Sequence, residues 1–262
     1  MKRLLLLIAI CISSVSFGQE PAFEWGVTIG ADDLGGGAGV VTDNSGNPII
    51  SARFQGLLTL VENGTTLISN PDMDGVIAKF DKLDGTLLWT KQLICSNNGI
   101  VEITKMHVNS NDELIIVGSL SEQGGSLDLN PDPLIENVIT ILNNEEIAFI
   151  LCLDSIGNYV WSKSIKFEES SPYYWETSIR NFKILEGDQM LFSIYVSIDG
   201  EEPYPLKFGE DIIDLSYACN IEGDPNDYNG YILIKTDVGG GLLFSNIFTE
   251  GTIWPYDSFE AI

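Results

Sequence analysis

Basic residues are scarce: 13 Lys and Arg stand against 38 Asp and Glu, a formal net charge of −25 over 262 residues. A surface of that sign repels nucleic acid and anionic membranes, so neither is an expected partner. Histidine is almost absent, with one residue, and the four cysteines include no close pair. That excludes an ordinary zinc site and a disulfide framework. Long apolar runs are missing as well. The run from Leu4 to Ile12 falls well short of the roughly 20 residues a membrane-spanning helix needs, so no transmembrane segment is expected. What is present is 44% hydrophobic residues, 10% of all residues being aromatic. This is enough to bury a core, and general disorder is excluded.

Lys2 and Arg3 before that apolar run, with Ser16-Phe17-Gly18 after it, read as an export signal over residues 1–18, cleaved before Gln19. The expectation is a secreted or cell-surface protein. Cys11 follows the bulky Ile10 and belongs to the discarded segment rather than to a lipid-anchored terminus. The remaining 244 residues hold 11 basic and 38 acidic side chains and three cysteines, Cys95, Cys152 and Cys219. Cys152, inside Phe149-Ile150-Leu151-Cys152-Leu153, reads as a small buried residue. Cys95 and Cys219 can pair only if the fold brings them together.

One pattern recurs three times: "DGVIAKFDKLDGTLLWTKQL" (74–93), "IAFILCLDSIGNYVWSKSI" (147–165) and "GYILIKTDVGGGLLFSNIF" (230–248). Each runs apolar strand, Asp, glycine turn and apolar strand, with Gly85, Gly157 and Gly240 four residues before Trp89, Trp161 and Phe244. A fixed offset of this kind fits a hairpin of fixed register. Trp25 reads as the aromatic of a preceding copy. The aromatics are 64, 72 and 83 residues apart, so the unit is elastic. Trp89, Trp161 and Phe244 are expected in the core.

A second hairpin goes with each copy, in "GVVTDNSGNPIISARF", "KMHVNSNDELIIVGSL" and "FKILEGDQMLFSIYV", turning at Gly46-Asn47, Asn111-Asp112 and Gly187-Asp188. The unit is therefore four antiparallel strands, A to D, expected in the first copy at about 38–43, 48–54, 74–81 and 86–93. Helical periodicity is nowhere sustained. Four-stranded sheets repeated in an all-β chain argue for a β-propeller, whose blades bury both faces against neighbours.

At these residues the chain resembles the SBBP-type β-propeller repeats of secreted bacterial proteins, in which a strand like "DxFIAKLD" is followed by a glycine turn and a Trp strand. The resemblance covers nearly all of residues 22–262, and "DLNPDP" (128–133) resembles the Asp-Pro turn of some such repeats. With Asp81, Gly85 and Trp89 at intervals of four, the first copy is also similar to the quinoprotein-type repeat. The other copies depart from it, with Asp154 and Gly157, and Asp237 and Gly240, three apart. The expected organisation is repeats at about 22–93, 94–165 and 166–248, with the start of a fourth at 249–262. Propellers have about four to eight blades. The reading is thus an incomplete propeller with open edges, whose partners include remaining C-terminal blades of the same protein. The Trp25 strand would complete the last blade.

Turns A–B and C–D must share one end of the sheets, and the B–C and D–A connections the other. The B–C connections are long, about 19, 28 and 34 residues (55–73, 119–146, 196–229), and long loops on a rigid scaffold collect binding residues. Two candidate sites lie there. Asn70, Asp72, Asp74 and Gly75 approximate a calcium loop, partly repeated by Asp227, Asn229 and Gly230; the expected reading is a solvated acidic turn with no cofactor, and bound calcium is the alternative. Tyr173, Tyr174 and Trp175, with Trp254 and Tyr256 in the next copy, form an aromatic cluster that fits packing between blades first and, as the alternative, a patch stacking on sugar faces. No catalytic constellation is legible, since His107 lies beside Lys105 on no motif. The expected function is a non-catalytic extracellular module, structural or recognising a glycan or protein. The alternative is a carbohydrate-active or quinoprotein-like propeller enzyme with its site at the ring axis.

Overall fold

The computed structural model describes residues 25–32, 35–60, 65–69, 73–97, 99–121, 124–132, 134–141, 145–167, 175–199, 205–215 and 227–249. Among them are strands, turns and one 3-10 turn at Glu186–Asp188, and no α-helix. In chain order, β1 (Ile29–Ala31) leads to β2 (Gly35–Thr42) and β3 (Pro48–Phe54). A short hairpin, β4 (Leu57–Leu60) and β5 (Thr65–Ile68), intervenes before β6 (Asp74–Phe80) and β7 (Leu87–Leu93). The pattern returns as β8 (Cys95–Ser96), β9 (Ile100–Val108) and β10 (Leu114–Ser121), the hairpin β11 (Ser126–Asp128) and β12 (Val138–Thr140), then β13 (Glu145–Leu153) and β14 (Tyr159–Phe167). It returns once more as β15 (Trp175–Ile184) and β16 (Met190–Asp199), the hairpin β17 (Leu206–Phe208) and β18 (Asp211–Ile213), then β19 (Asp227–Thr236) and β20 (Leu242–Thr249). Three antiparallel meanders result: β2-β3-β6-β7, β9-β10-β13-β14 and β15-β16-β19-β20.

The turn chemistry is that expected of the sequence. Gly46 and Asp112 end their A–B turns at φ 88° and 64°, and Gly187 and Asp188 both take positive φ, at 73° and 56°. Such angles suit glycine and are tolerated by Asp.

Side-chain alternation stacks the three sheets. On β13, Phe149, Leu151 and Leu153 enter a core shared with Ile49 and Ile77 of the first sheet, while Ala148, Ile150 and Cys152 enter one shared with Phe192, Ile194, Ile232 and Ile234 of the third. The second sheet is buried on both faces, hence its continuous apolar runs. A third cluster, around Phe54, Leu58, Val76 and Phe80, takes in Trp25 and Ile29 on the far side of the first sheet.

The connection between sheets follows one plan. The later B–C hairpins reach back to the outermost strand of the sheet before them, β11 to β8, which continues β7, and β17 to β14, and β4 of the first hairpin pairs with the short strand β1. The starts of the second and third A strands make short parallel bridges to the residues that open the preceding C strand, Ile100 with Met73, and Trp175 and Glu176 with Glu145 and Glu146. Only two residue pairs join β13 to β15, so the second and third sheets remain separate layers held mainly by their shared core.

The repeated aromatics belong to this plan rather than to the interior of a sheet. Trp89 and Trp161 are half-buried, and Phe244 is 43% exposed. Each Trp packs on the turn glycine of the following sheet. A Cβ added to Gly85 would stand 2.7 Å from Trp25, one on Gly157 3.1 Å from Trp89, and one on Gly240 2.8 Å from Trp161. Trp25 Nε1 donates to the Lys82 carbonyl at 2.8 Å and Trp89 Nε1 to that of Ser155 at 3.2 Å. The register of β6-β7, β13-β14 and β19-β20 slips by one residue just before each aromatic, leaving Leu88, Val160 and Leu243 as the extra, exposed residue. A bulge re-aims the side chain that follows it. The glycine thus serves two needs, a left-handed turn and a flat seat for the neighbouring indole.

Candidate functional site

The A–B turn end of the sheets is occupied by contacts between turns. Asn44 N donates to Asp112 Oδ1 at 2.8 Å, and Asn44 Nδ2 to the Asn109 carbonyl at 3.0 Å. One sheet further on, Ser110 N donates to Asp188 Oδ1 at 3.1 Å and its hydroxyl to the other carboxylate oxygen. Asp112 and Asp188 hold equivalent left-handed positions, so their carboxylates tie successive turns together. The opposite end carries the starts of the A and C strands.

At that opposite end, Arg53 near the end of β3 lies 3.8 Å from Glu102 at the start of β9. Glu176 at the start of β15 pairs with Arg180 at 2.9 Å, and the Arg180 guanidinium sits 4.9 Å above the Tyr195 ring. Glu146 lies between them. Burial pushes its carboxyl above the usual range; the Ser119 hydrogen bond opposes this, the Glu176 charge adds to it, Arg180 opposes it and Glu102 adds to it. Beside Arg53 a cavity of about 580 Å³ is walled by Gly35, Gly36 and Gly37 of β2, with Ile29, Ala31 and Leu58 opposite. The glycines leave the A strand without side chains there.

Because Glu146 has a folded-state pKa above its unfolded value of 4.5, ionising it costs stability. The penalty is absent below pH 4.5, grows as pH rises past it, and is complete above the folded value. Glu146→Gln is therefore expected to raise the melting temperature at pH 7, on the order of 2 °C, with the advantage gone at pH 4. Thermal unfolding of both proteins across that range checks it.

No family model, curated protein or solved structure matches this chain. Of the calcium candidates, Asn70 and Asp72 lie outside the described residues, and Asp227 and Asn229 are placed by backbone alone, at the start of β19. Asp74 is 2% exposed, and its carboxylate accepts hydrogen bonds from Gln92 Nε2 at 2.5 Å and from Cys95 N at 2.9 Å. It is turned into the first sheet. Among the described residues no three His, Cys, Asp or Glu side chains gather as a metal cluster.

Of the aromatic patch, Tyr173, Tyr174, Trp254 and Tyr256 lie outside the described residues, and Trp175 opens β15 with its backbone alone described. Cys152 is fully buried, and that burial pushes its thiol up to about 12. Cys219 lies outside the described residues. His107 packs edge-on to Phe182 at 6.2 Å; burial lowers its pKa against the opposing pull of Asp188. No described helix is long and apolar enough to cross a membrane.

The sequence pattern does not point to Arg53 or to the pair Asp43–Lys79, and it offers Glu146 only as a partial repeat of the acidic loop. Lys79 Nζ reaches Asp43 Oδ2 at 2.8 Å and the Ser155 carbonyl of the next sheet at 2.9 Å, with both side chains buried. A lysine inside the apolar run "GVIAKF" was the available signal.

Proposed function

We propose that this chain is part of a secreted β-propeller of the SBBP-repeat kind, acting without catalysis as a structural or recognition module. Its three sheets are consecutive blades, and its ligand is a glycan or an extracellular protein met on the face that carries the long B–C and D–A connections. One observation carries the reading: the same contacts recur from sheet to sheet at equivalent positions. Trp on turn glycine, hairpin on outer strand and carboxylate on turn amide each repeat. Identical contacts between identical units impose the same rotation each time, and repeated rotation builds a ring of blades. The A–B turns are engaged in joining blades, and the Trp175 site is assigned to the other end.

The test is a binding survey of the secreted protein against an array of glycans and against extracellular surface extract. Saturable binding that falls about tenfold in Trp175→Ala, a loss of about 1.4 kcal/mol, with an unchanged melting temperature, supports recognition at that face. Binding to nothing on either surface removes recognition and leaves the structural role alone.

A further inference from the structure

A second cleft lies where the first and second sheets meet, away from the cavity beside Arg53. It has a volume of about 320 Å³ and is lined by Lys91 of β7, by Asn130, Asp132 and Ile135 of the loop between β11 and β12, and by Gly157 and Tyr159 at the β13–β14 turn. Docking of the two sheets creates it, since Lys91 comes from one and the other residues from the next.

The loop is built as a ladder of side-chain turns. Asp128 Oδ1 accepts from the amides of Asn130 and Asn137, both at 2.9 Å, Asn130 Oδ1 from that of Asp132 at 3.0 Å, and Asp132 Oδ1 from that of Leu134 at 3.0 Å. Asn130 is only 4% exposed. Because its oxygen is committed to Asp132, its amide orientation is fixed, and what remains on the cleft wall is the NH2 group. That group has no hydrogen-bond partner among the described residues. The NH2 is open to solvent in the cleft, the buried atoms without a partner being Ser51 Oγ and Thr236 Oγ1, and a ligand oxygen there would take the place of water on it.

The rest of the wall narrows the chemistry. The Lys91 ammonium makes no ion pair among the described residues, and its stem lies across Gly157, where a Cβ would stand 2.8 Å from Cε. Asp132 Oδ2 is a second open group, and an acceptor. Asn137 Nδ2 holds the Tyr159 hydroxyl at 2.9 Å and Ser162 Oγ at 2.7 Å, so the tyrosine is a fixed wall rather than a mobile donor. Pro131 and Ile135, the latter 59% exposed, supply apolar surface.

We propose that this cleft is a binding subsite for a neutral pyranose. Two donors and one acceptor beside apolar surface match vicinal hydroxyls, which give and accept hydrogen bonds on one edge of a ring whose C–H face is apolar. The volume, at the small end for ligand pockets, holds about one sugar ring. Anions are disfavoured, because Asp132 faces the cleft and the chain carries a net charge of −25. The proposal rests on the recognition reading above and gives it a second location, distinct from Trp175.

The experiment is ligand-observed NMR on the whole chain with the methyl glycosides of glucose, galactose and mannose, and with galacturonate and sulfate as anionic probes. Two variants accompany the wild type. Asn130→Asp keeps the oxygen that closes the turn and removes the donor, and Ile135→Trp fills the cleft from an exposed position. At least one neutral glycoside should bind with Kd on the order of 1 mM and at least about tenfold more weakly in both variants, with melting temperatures unchanged. Equal binding by wild type and Ile135→Trp, preference for galacturonate or sulfate, or no neutral glycoside bound would each overturn the subsite. If the array survey is positive in any of these cases, recognition itself survives; if the survey is also blank, both readings fall together.

Discussion

Gly118→Ala is expected to lower the unfolding free energy by more than about 3 kcal/mol, and urea denaturation of the purified protein would show it. Gly118 lies in β10, held between β9 and β13. A Cβ there would stand 2.3 Å from the Glu102 carbonyl oxygen and 2.6 Å from Phe149 Cζ. The oxygen belongs to the neighbouring strand and cannot retreat without opening the β9–β10 ladder. Phe149 is fully buried in the core between the first two sheets, where no free volume lets the ring swing aside. The glycine also sits at the register slip between Val117 and Gly118, where the bulge brings the β9 backbone close. Backbone strain does not enter, because its φ lies outside the left-handed region. Gly37→Ala is the matched control. Nothing lies within 4 Å of its added Cβ, and a change within about 0.5 kcal/mol is expected. Equal stability of the two variants would show that β9 and β10 are not packed as described.

Asp43→Ala should cost about 3–5 kcal/mol, since it strands the buried Lys79 ammonium without its counter-charge. The same carboxylate organises the first A–B turn, accepting from Ser45 N at 2.9 Å, Asn47 N at 2.7 Å and Asn47 Nδ2 at 2.8 Å. Asp43→Ala combined with Lys79→Met should recover part of the loss, because a neutral apolar stem replaces the stranded charge. Additive losses in the double variant would show that the two side chains do not interact. Acid offers an independent check. Burial alone would raise the Asp43 carboxyl, but hydrogen bonds from Lys79 and Asn47 outweigh it and hold the pKa at about 2, against 3.8 for an ordinary Asp. Stability from this depressed value is present above pH 3.8 and is lost as pH falls from 3.8 towards about 2. The difference corresponds to about 2 kcal/mol. The stability gap between wild type and Asp43→Asn should therefore narrow between pH 5 and pH 2, and a constant gap would contradict the pairing.

Local pattern carried most of what the chain discloses about its strands. The glycine-turn-aromatic segments and the turns at Gly46, Asp112 and Gly187 are local, and alternation decides which side chains share a face. The strands expected at about 38–43, 48–54, 74–81 and 86–93 are found at Gly35–Thr42, Pro48–Phe54, Asp74–Phe80 and Leu87–Leu93. Periodicity could not say which neighbour a face meets. Trp89 was placed in the core because large aromatics bury area, and only the position of Gly157 reveals that its ring rests on the next sheet. The long B–C connections were read as binding loops, whereas their hairpins spend strand edges on the preceding sheet. Asp74 resembled a cation ligand by spacing, yet its side chain turns inward to Gln92 and Cys95. Asn130 lay inside the noted "DLNPDP" run, but its open amide becomes visible only once its oxygen is seen bound to Asp132.

The indole-on-glycine seat has a direction, and direction matters during synthesis. Each Trp leaves the ribosome before the turn that will receive it, with Trp25 and Lys82 57 residues apart and Trp89 and Ser155 66 apart. Trp89 stands on β7 of the first sheet, complete in sequence before the β13–β14 turn that seats it. Chain order thus permits layer-by-layer assembly, because the seat is always made after the ring it receives.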